Sequence, residues 1–202
     1  MTGCLVYTAI AGDYPIPPRT DIKCLNGAQL FERPVLDAKR YKVLPHLYFP
    51  DDDVTIWVDG NIWLLGDPQR LIDRYLAAHD MALFAHPVRK TVWEEFATLR
   101  KDEGRFKIPY LQQQLAEQEA AYRAAGLPAD TPLHECNVLL RRNNDHVNRL
   151  MDAWWGEITR WQWRDQVSWP YVRWRYGSGV RVNTIFGPDV RKNRDFRYVK
   201  HH

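Results

Sequence analysis

The stretch that most constrains this chain is Val54-Thr-Ile-Trp-Val-Asp-Gly-Asn-Ile62. Val54 to Val58 suit a pleated, buried strand, and they run without a spacer into Asp59-Gly60-Asn61. Gly60 lets the backbone turn sharply or come close to a ligand. A carboxylate at the end of a buried strand, with an amide oxygen two residues on, offers two oxygens to a hard divalent cation. In open α/β sheets, ligands bind beyond the carboxyl ends of the strands. The stretch therefore suggests a fold class and a site together. A plain β-turn with a solvated Asp and Asn explains the same residues about as well, so the rest of the chain decides.

At 202 residues, with 45% hydrophobic residues, the chain suits one domain spanning 1–202 with a sizeable core. Nine Trp and ten Tyr fit an aromatic-rich cleft, although large aromatics also fill cores. The net charge of +3 is unevenly spread, because ten of the 28 Lys/Arg but only three of the 25 Asp/Glu fall in 160–202. A basic end points to a polyanionic partner, such as a nucleotide diphosphate or a nucleic acid, or simply to a solvated tail. Cys4, Cys24 and Cys136 are odd in number and lack CxxC spacing. They read as free thiols in a reducing compartment, and the expected localisation is cytoplasmic. Cys4 to Ile10 lacks the length and charged flank of a signal peptide, and no apolar run is long enough to cross a membrane.

Strand signals alternate with helix signals, which predicts an α/β domain: a central, mostly parallel sheet with helices on both faces. Leu5–Ile10 and Ile22–Leu25 read as strands, and Met81–Ala85 and Cys136–Leu140 as two more. Asp37 to Leu44 reads as a basic helix with Asp37 as N-cap and Pro45 as its stop. Asp67-Pro68 opens a helix, Thr91–Glu103 continues to Gly104, and Pro109–Ala125 is closed by Gly126. Val147, Leu150, Met151, Trp154, Trp155 and Ile158 repeat at helical spacing, so the Trp pair belongs to the core. The density of Trp and Tyr after residue 160 argues for a segment flanking the cleft over a disordered tail. No GxGxxG is present, so dinucleotide binding is not indicated.

Several segments in order resemble one family: Tyr7 to Tyr14, Lys39 to His46, Ile56 to Ile62, Phe84 to Arg89, Glu94-Glu95, Arg164 to Ser168 and the closing Lys200-His-His202. They resemble the glycosyltransferase-like proteins of the plant mucilage-related and turgor-regulation-defect family and their bacterial relatives. That resemblance implies a GT-A-like Rossmann-type fold, a nucleoside-diphosphate sugar donor (a UDP-sugar in the first instance) and a divalent metal, Mn2+ or Mg2+. It implies metal ligation by Asp59, Asn61 and a His near the end, His202 or His201. Asn61 stands where similar enzymes carry a second Asp. Tyr7, Thr8, Ala9 and Asp13 are then expected around base and ribose, and Lys39, Lys42 and Gly60 around the phosphates. Asp165 and Gln166 resemble an Asp-Gln pair that faces the transferred sugar. Where a base is required, Asp165, Glu94 or Glu95 is the candidate. His86, Arg89 and Arg164 fall on the acceptor side. The acceptor is a glycan, a protein or a nucleic acid base. A non-catalytic polyanion-binding module is the competing reading, carried by the basic, aromatic-interleaved stretch from Trp161 to Lys200.

Overall fold

The structure, a computed structural model, describes residues 3–11, 22–26, 30–31, 33–102, 104 and 107–199. Strands β1 (Cys4–Ile10) and β2 (Lys23–Asn26) precede helices α1 (Pro34–Val43) and α2 (Pro45–Tyr48). Next come β3 (Val54–Val58), β4 (Ile62–Leu64), α3 (Pro68–Tyr75), β5 (Met81–Ala85), α4 (Val92–Arg100) and α5 (Pro109–Ala124). The chain continues through β6 (His134–Arg142), α6 (Asp145–Arg160), α7 (Asp165–Tyr176), β7 (Val182–Ile185) and β8 (Phe196–Tyr198).

Six strands form one sheet in the order β2-β1-β3-β6-β5-β7, and β4 pairs with β8 in a small second sheet. β6 runs against both β3 and β5, while the β1–β2, β1–β3 and β5–β7 pairings are parallel. The sheet is thus mostly parallel, with one reversed strand, and the α/β class expected from the sequence is the one found. Register puts Val58 opposite Val138, so β6 starts beyond the carboxyl end of β3.

Strand side chains alternate between the two faces of the sheet. Tyr7, Trp57, Leu83 and Leu139 point to the layer holding Val43 of α1, Trp154 of α6 and Trp169 of α7. Val6, Ile56, Ala82 and Leu140 point to the opposite layer, built from Leu71, Ile72 and Tyr75 of α3 and from Phe196. A third cluster, with Phe96, Leu115 and Val167, joins α4 and α5 to the flank of α7. Burying these residues drives folding at about 25 cal/mol per Å² of apolar surface. Trp154 is fully buried, as the helical spacing indicated, while Trp155 is only partly covered.

Some boundaries differ from the sequence reading. α1 begins at Pro34, and Asp37 lies buried inside the helix, where its Oδ1 accepts from Leu30 N at 2.9 Å. Its carboxylate thus binds a backbone N–H ahead of the helix while the helix itself starts three residues earlier, at Pro34. Pro45 does not only stop α1; it opens α2. Thr91, expected as the first helical residue, is the N-cap of α4 through Glu94 N, and the helix ends at Arg100. Asp67 caps α3 through Gln69 N. The basic stretch after residue 160 is folded into α7, β7 and β8 as far as residue 199.

Candidate functional site

β1 and β3 are parallel neighbours, and α1 packs beside β1, so their adjoining ends enclose a cleft of about 590 Å3. Ala9, Ile10 and Ala11 form one wall, and Pro34, Val35, Ala38, Lys39 and Lys42 of α1 another. Trp57, Asp59, Gly60 and Asn61 line the end of β3, and Trp163 approaches from the segment before α7. Lys39 and Lys42 are three residues apart and therefore share one helix face. Gly60 leaves the turn close-packed on β1: a Cβ there would meet Ile10 Cδ1 at 3.3 Å.

Two lysines and two carboxylates converge in this cleft. Lys39 Nζ lies 2.5 Å from Asp165 Oδ2, and Lys42 Nζ lies 2.7 Å from the same oxygen and 3.1 Å from Asp59 Oδ1. Asp165 is buried, and its Oδ1 accepts from Gln166 N at 2.9 Å. Burial alone would raise the Asp165 pKa, but Lys39 and Lys42 outweigh it and hold the carboxyl well below its ordinary range. Lys42 is pushed the other way: burial opposes its charge, while Asp165 and Asp59 keep it firmly protonated. For Lys39, burial and the neighbouring Lys42 lower the pKa against the pull of Asp165. One carboxylate thus serves two ammonium groups, and Lys42 stays the more firmly charged of the two because Asp59 is a second counter-charge for it.

Asp59 is presented differently. Its N donates to Asn137 O at 2.8 Å and its O accepts from Ile62 N at 2.8 Å, so the backbone is fixed on both sides. Trp57 Nε1 donates to Oδ1 at 2.8 Å, the atom that Lys42 also meets. The Asp59 side chain is 39% exposed, against 5% for Asp165. Val199 N donates to Asn61 O at 2.9 Å, which brings the last described residue to the same turn.

A second cavity of about 620 Å3 adjoins Arg164, the residue before Asp165. Glu95 is fully buried there between Arg89 Nε and Arg164 Nη2, the latter at 3.0 Å. His86 Nε2 meets Arg89 Nη2 at 2.7 Å, and its Nδ1 accepts from Arg89 N at 2.9 Å. Burial and the Arg89 guanidinium push the His86 pKa down to about 4, so the ring is neutral near pH 7. The structure therefore joins His86, Arg89, Glu95 and Arg164 into one cluster beside the main cleft.

Of the residues expected around the donor, Ala9, Lys39, Lys42, Asp59, Gly60 and Asn61 line the cleft. Tyr7 and Thr8 do not: both are fully buried, and Ile10 and Ala11 take the place expected of them. The side chain of Tyr7 is in the core, pointing into the layer under α1, with its hydroxyl donating to Tyr41 O at 2.9 Å. Gln166 is buried, and its Nε2 finds no hydrogen-bond acceptor among the described residues. Glu94 caps the approach to α4 by accepting from Lys90 N at 2.8 Å. Asp13, His201 and His202 lie outside the described residues. Trp57 and Trp163 were not anticipated as cleft residues; Trp57 reads as core strand, and nothing local marks its indole N–H as a partner for Asp59. The basic stretch is compensated in part within the protein, since Arg164 pairs with Glu95, Arg181 with Asp80 and Arg191 with Glu135. No helix is long and apolar enough to cross a membrane among the described residues.

A mostly parallel α/β sheet, with a charged cleft where a fixed acidic turn meets two helix lysines, defines a ligand-binding domain of the Rossmann-like class. The model of the TOD1/MUCI70 glycosyltransferase-like domain matches residues 27–202, and the chain belongs to that family. Two Arabidopsis thaliana proteins are similar to it. The alkaline ceramidase TOD1 is 28% identical over 177 residues, covering 85% of this chain and 38% of that protein. The probable hexosyltransferase MUCI70 is 30% identical over 167 residues, covering 80% of this chain and 28% of that protein. The chain thus spans well under half the length of these curated relatives. Among solved structures, a glycosyltransferase involved in the glycosylation of the major capsid of PBCV-1 aligns over 91% of this chain and 81% of its own. Its TM-score is 0.47 and its identity 9%.

Proposed function

We propose that this domain transfers a sugar from a nucleoside-diphosphate sugar, a UDP-sugar in the first instance, to a hydroxyl acceptor. The observation that carries the reading is the convergence of Lys39, Lys42 and Asp59 on one cleft at the strand ends. A leaving diphosphate carries developing charge, and preorganised cations aimed at it stabilise the transition state electrostatically. Ala9, Ile10, Pro34, Val35 and Trp163 provide apolar walls for base and sugar faces. The family membership supports the same reading.

The cleft also fits a divalent cation. Asp59 offers a half-exposed carboxylate whose two recorded bonds both fall on Oδ1, and Asn61 offers an amide oxygen in the same wall. Such a hard-oxygen set suits Mg2+ or Mn2+, which complete their shells with phosphate and water. The closing His202 is proposed as a third ligand, supported by the bond from Val199 to Asn61 three residues earlier. When bound, the cation would supply Lewis-acid stabilisation of the departing diphosphate.

Neither buried carboxylate is poised to accept the acceptor's proton. Asp165 is held on two ammonium groups and Glu95 on two guanidinium groups. This favours a retaining reaction in which the leaving phosphate takes the proton. Asp165 then serves to hold the lysines, and the buried amide of Gln166 is a donor for a sugar hydroxyl. His86, Arg89 and Arg164 stand on the acceptor side.

The test is release of nucleoside diphosphate from a panel of UDP- and GDP-sugars with Mn2+, with and without EDTA. Metal-dependent release, with the anomeric configuration of the product followed by NMR, is the expected result. Failure of every nucleoside diphosphate to raise the melting midpoint would overturn the reading. Hydrolysis of ceramide without sugar transfer would replace it by the activity named for one relative.

A further inference from the structure

The last carbonyls of an α-helix have no partner within the helix and must be satisfied from outside. At the end of α1 this is done by two buried side chains from other strands. Tyr7 of β1 donates its hydroxyl to Tyr41 O at 2.9 Å, and Arg141 of β6 donates from Nη1 to Lys42 O at 2.5 Å. Arg141 Nη2 also donates to the Tyr7 hydroxyl at 2.8 Å, which closes the group. Arg141 is 1% exposed, and it forms no ion pair among the described residues. A buried guanidinium without a carboxylate is costly. Here its counter-charge is the negative end of the α1 dipole. The residue those bonds fix is Lys42, whose ammonium reaches both Asp59 and Asp165 from a side chain that is 2% exposed.

We propose that Arg141 and Tyr7 are positioning residues for Lys42: they lock the last turn of α1 so that the Lys42 ammonium is held at the donor's diphosphate. The identity of what Lys42 meets rests on the function proposed above; the positioning itself does not. A displacement of about 1 Å in such a group is enough to lose most of its effect. Tyr7 keeps its packing role through its ring, which lies edge-on to Phe49 at 5.0 Å and to Trp57 at 5.3 Å. Its hydroxyl is therefore separable from its contribution to the core.

The experiment compares Tyr7→Phe and Arg141→Lys with Leu115→Ala, a change in the α5 cluster remote from α1. The first readout is the ε-ammonium signal of Lys42 in 15N lysine spectra, assigned with Lys42→Arg. It is visible only when the ammonium is held and shielded. The parent and Leu115→Ala are expected to show it, and Tyr7→Phe and Arg141→Lys to broaden or lose it. The second readout is the Kd of UDP with Mn2+, expected to rise about five- to tenfold in Tyr7→Phe and to stay at the parental value in Leu115→Ala. The proposal is overturned if Tyr7→Phe melts lower but keeps both the Lys42 signal and the parental Kd, or if the parent shows no held Lys42 ammonium. If the signal is lost in Tyr7→Phe while the parent itself binds no nucleoside diphosphate, the positioning stands and the glycosyltransferase reading fails.

Discussion

Replacing Asp165 by Asn removes one charge from the centre of the cleft and changes almost nothing in shape. The amide oxygen can still accept from Gln166 N, as Oδ1 does now. What disappears is the shared counter-charge of Lys39 and Lys42, at 2.5 and 2.7 Å. Breaking a buried pair costs about 3–5 kcal/mol, because the partner left behind is uncompensated. The lower end applies here, since Lys42 keeps Asp59 at 3.1 Å and the Lys39 side chain, 17% exposed, can turn towards water. For a domain of this size, about 3 kcal/mol corresponds to a fall of roughly 6–12 °C in melting temperature. Scanning calorimetry at pH 7 measures it directly. The pH dependence carries a sign. The folded carboxyl is held below the ordinary Asp value, so its stabilisation is complete above about pH 4 and is lost only as pH falls further. The gap between parent and variant should therefore be full at pH 7 and close in acid. UDP with Mn2+ should also raise the variant's midpoint more than the parent's, because the diphosphate then supplies counter-charge that Lys39 and Lys42 have lost. A variant melting within 2 °C of the parent at pH 7 would refute the electrostatic account of the cleft.

Asp59→Asn should leave the melting temperature nearly unchanged, since the amide oxygen still accepts from Trp57, while metal-dependent turnover falls about a hundredfold. Parental turnover at saturating Mn2+ would show that Asp59 does not hold the cation. Glu95→Gln strips Arg89 and Arg164 of their shared buried partner and should cost about 3 kcal/mol, with activity falling only in step with the folded fraction. A variant that stays as stable as the parent yet is inactive would instead make Glu95 a base. His134 is 4% exposed, and burial and Arg173 push its pKa down to about 4, so its ring proton should titrate near pH 4 by NMR. Being neutral in the fold, it contributes stability that is complete above about pH 6.5 and is lost as pH falls towards 4. A ring-proton midpoint near 6.5 would contradict its burial.

The strand that delivers Asp59 was legible because Val54 to Val58 form one unbroken buried run and Gly60 marks the turn that follows. Lys39 and Lys42 were legible as a pair because three residues on a helix make one face. Asp165 was legible only as a candidate. Its meeting with Lys39 is made across 126 positions of chain, and no local pattern reports which charges a fold will bring together. Tyr7 shows the opposite failure. It sits on the strand that reaches the cleft, yet alternation turns its side chain into the layer under α1, and the wall is made two to four residues later. Arg141 carried no signal at all: it follows the expected strand Cys136–Leu140 in a run of two arginines and two asparagines. Only the fold shows that one of them closes a helix.

On the proposed function, the charges in the cleft keep two lysines in place for a diphosphate before it arrives. Lys39 and Lys42 side by side would repel each other in a partly buried space, and each would lose its proton more easily. Asp165 and Asp59 keep Lys42 charged and hold both chains near their working positions. The two carboxylates are not equivalent. Asp165 is buried and fixed by a backbone N–H, so it stays as the counter-ion whether or not a ligand is present. Asp59 is 39% exposed, and its side-chain bonds both fall on one oxygen, so it is the one able to turn from Lys42 to a cation. A diphosphate arriving with a divalent metal brings both signs of charge. On the proposed function Asp59 would hold the metal and the lysines the phosphates, and the net charge of the centre would change little. A diphosphate without the metal would have to displace Asp59 uncompensated, so its affinity should drop with metal removal even though no protein contact to the phosphates is lost.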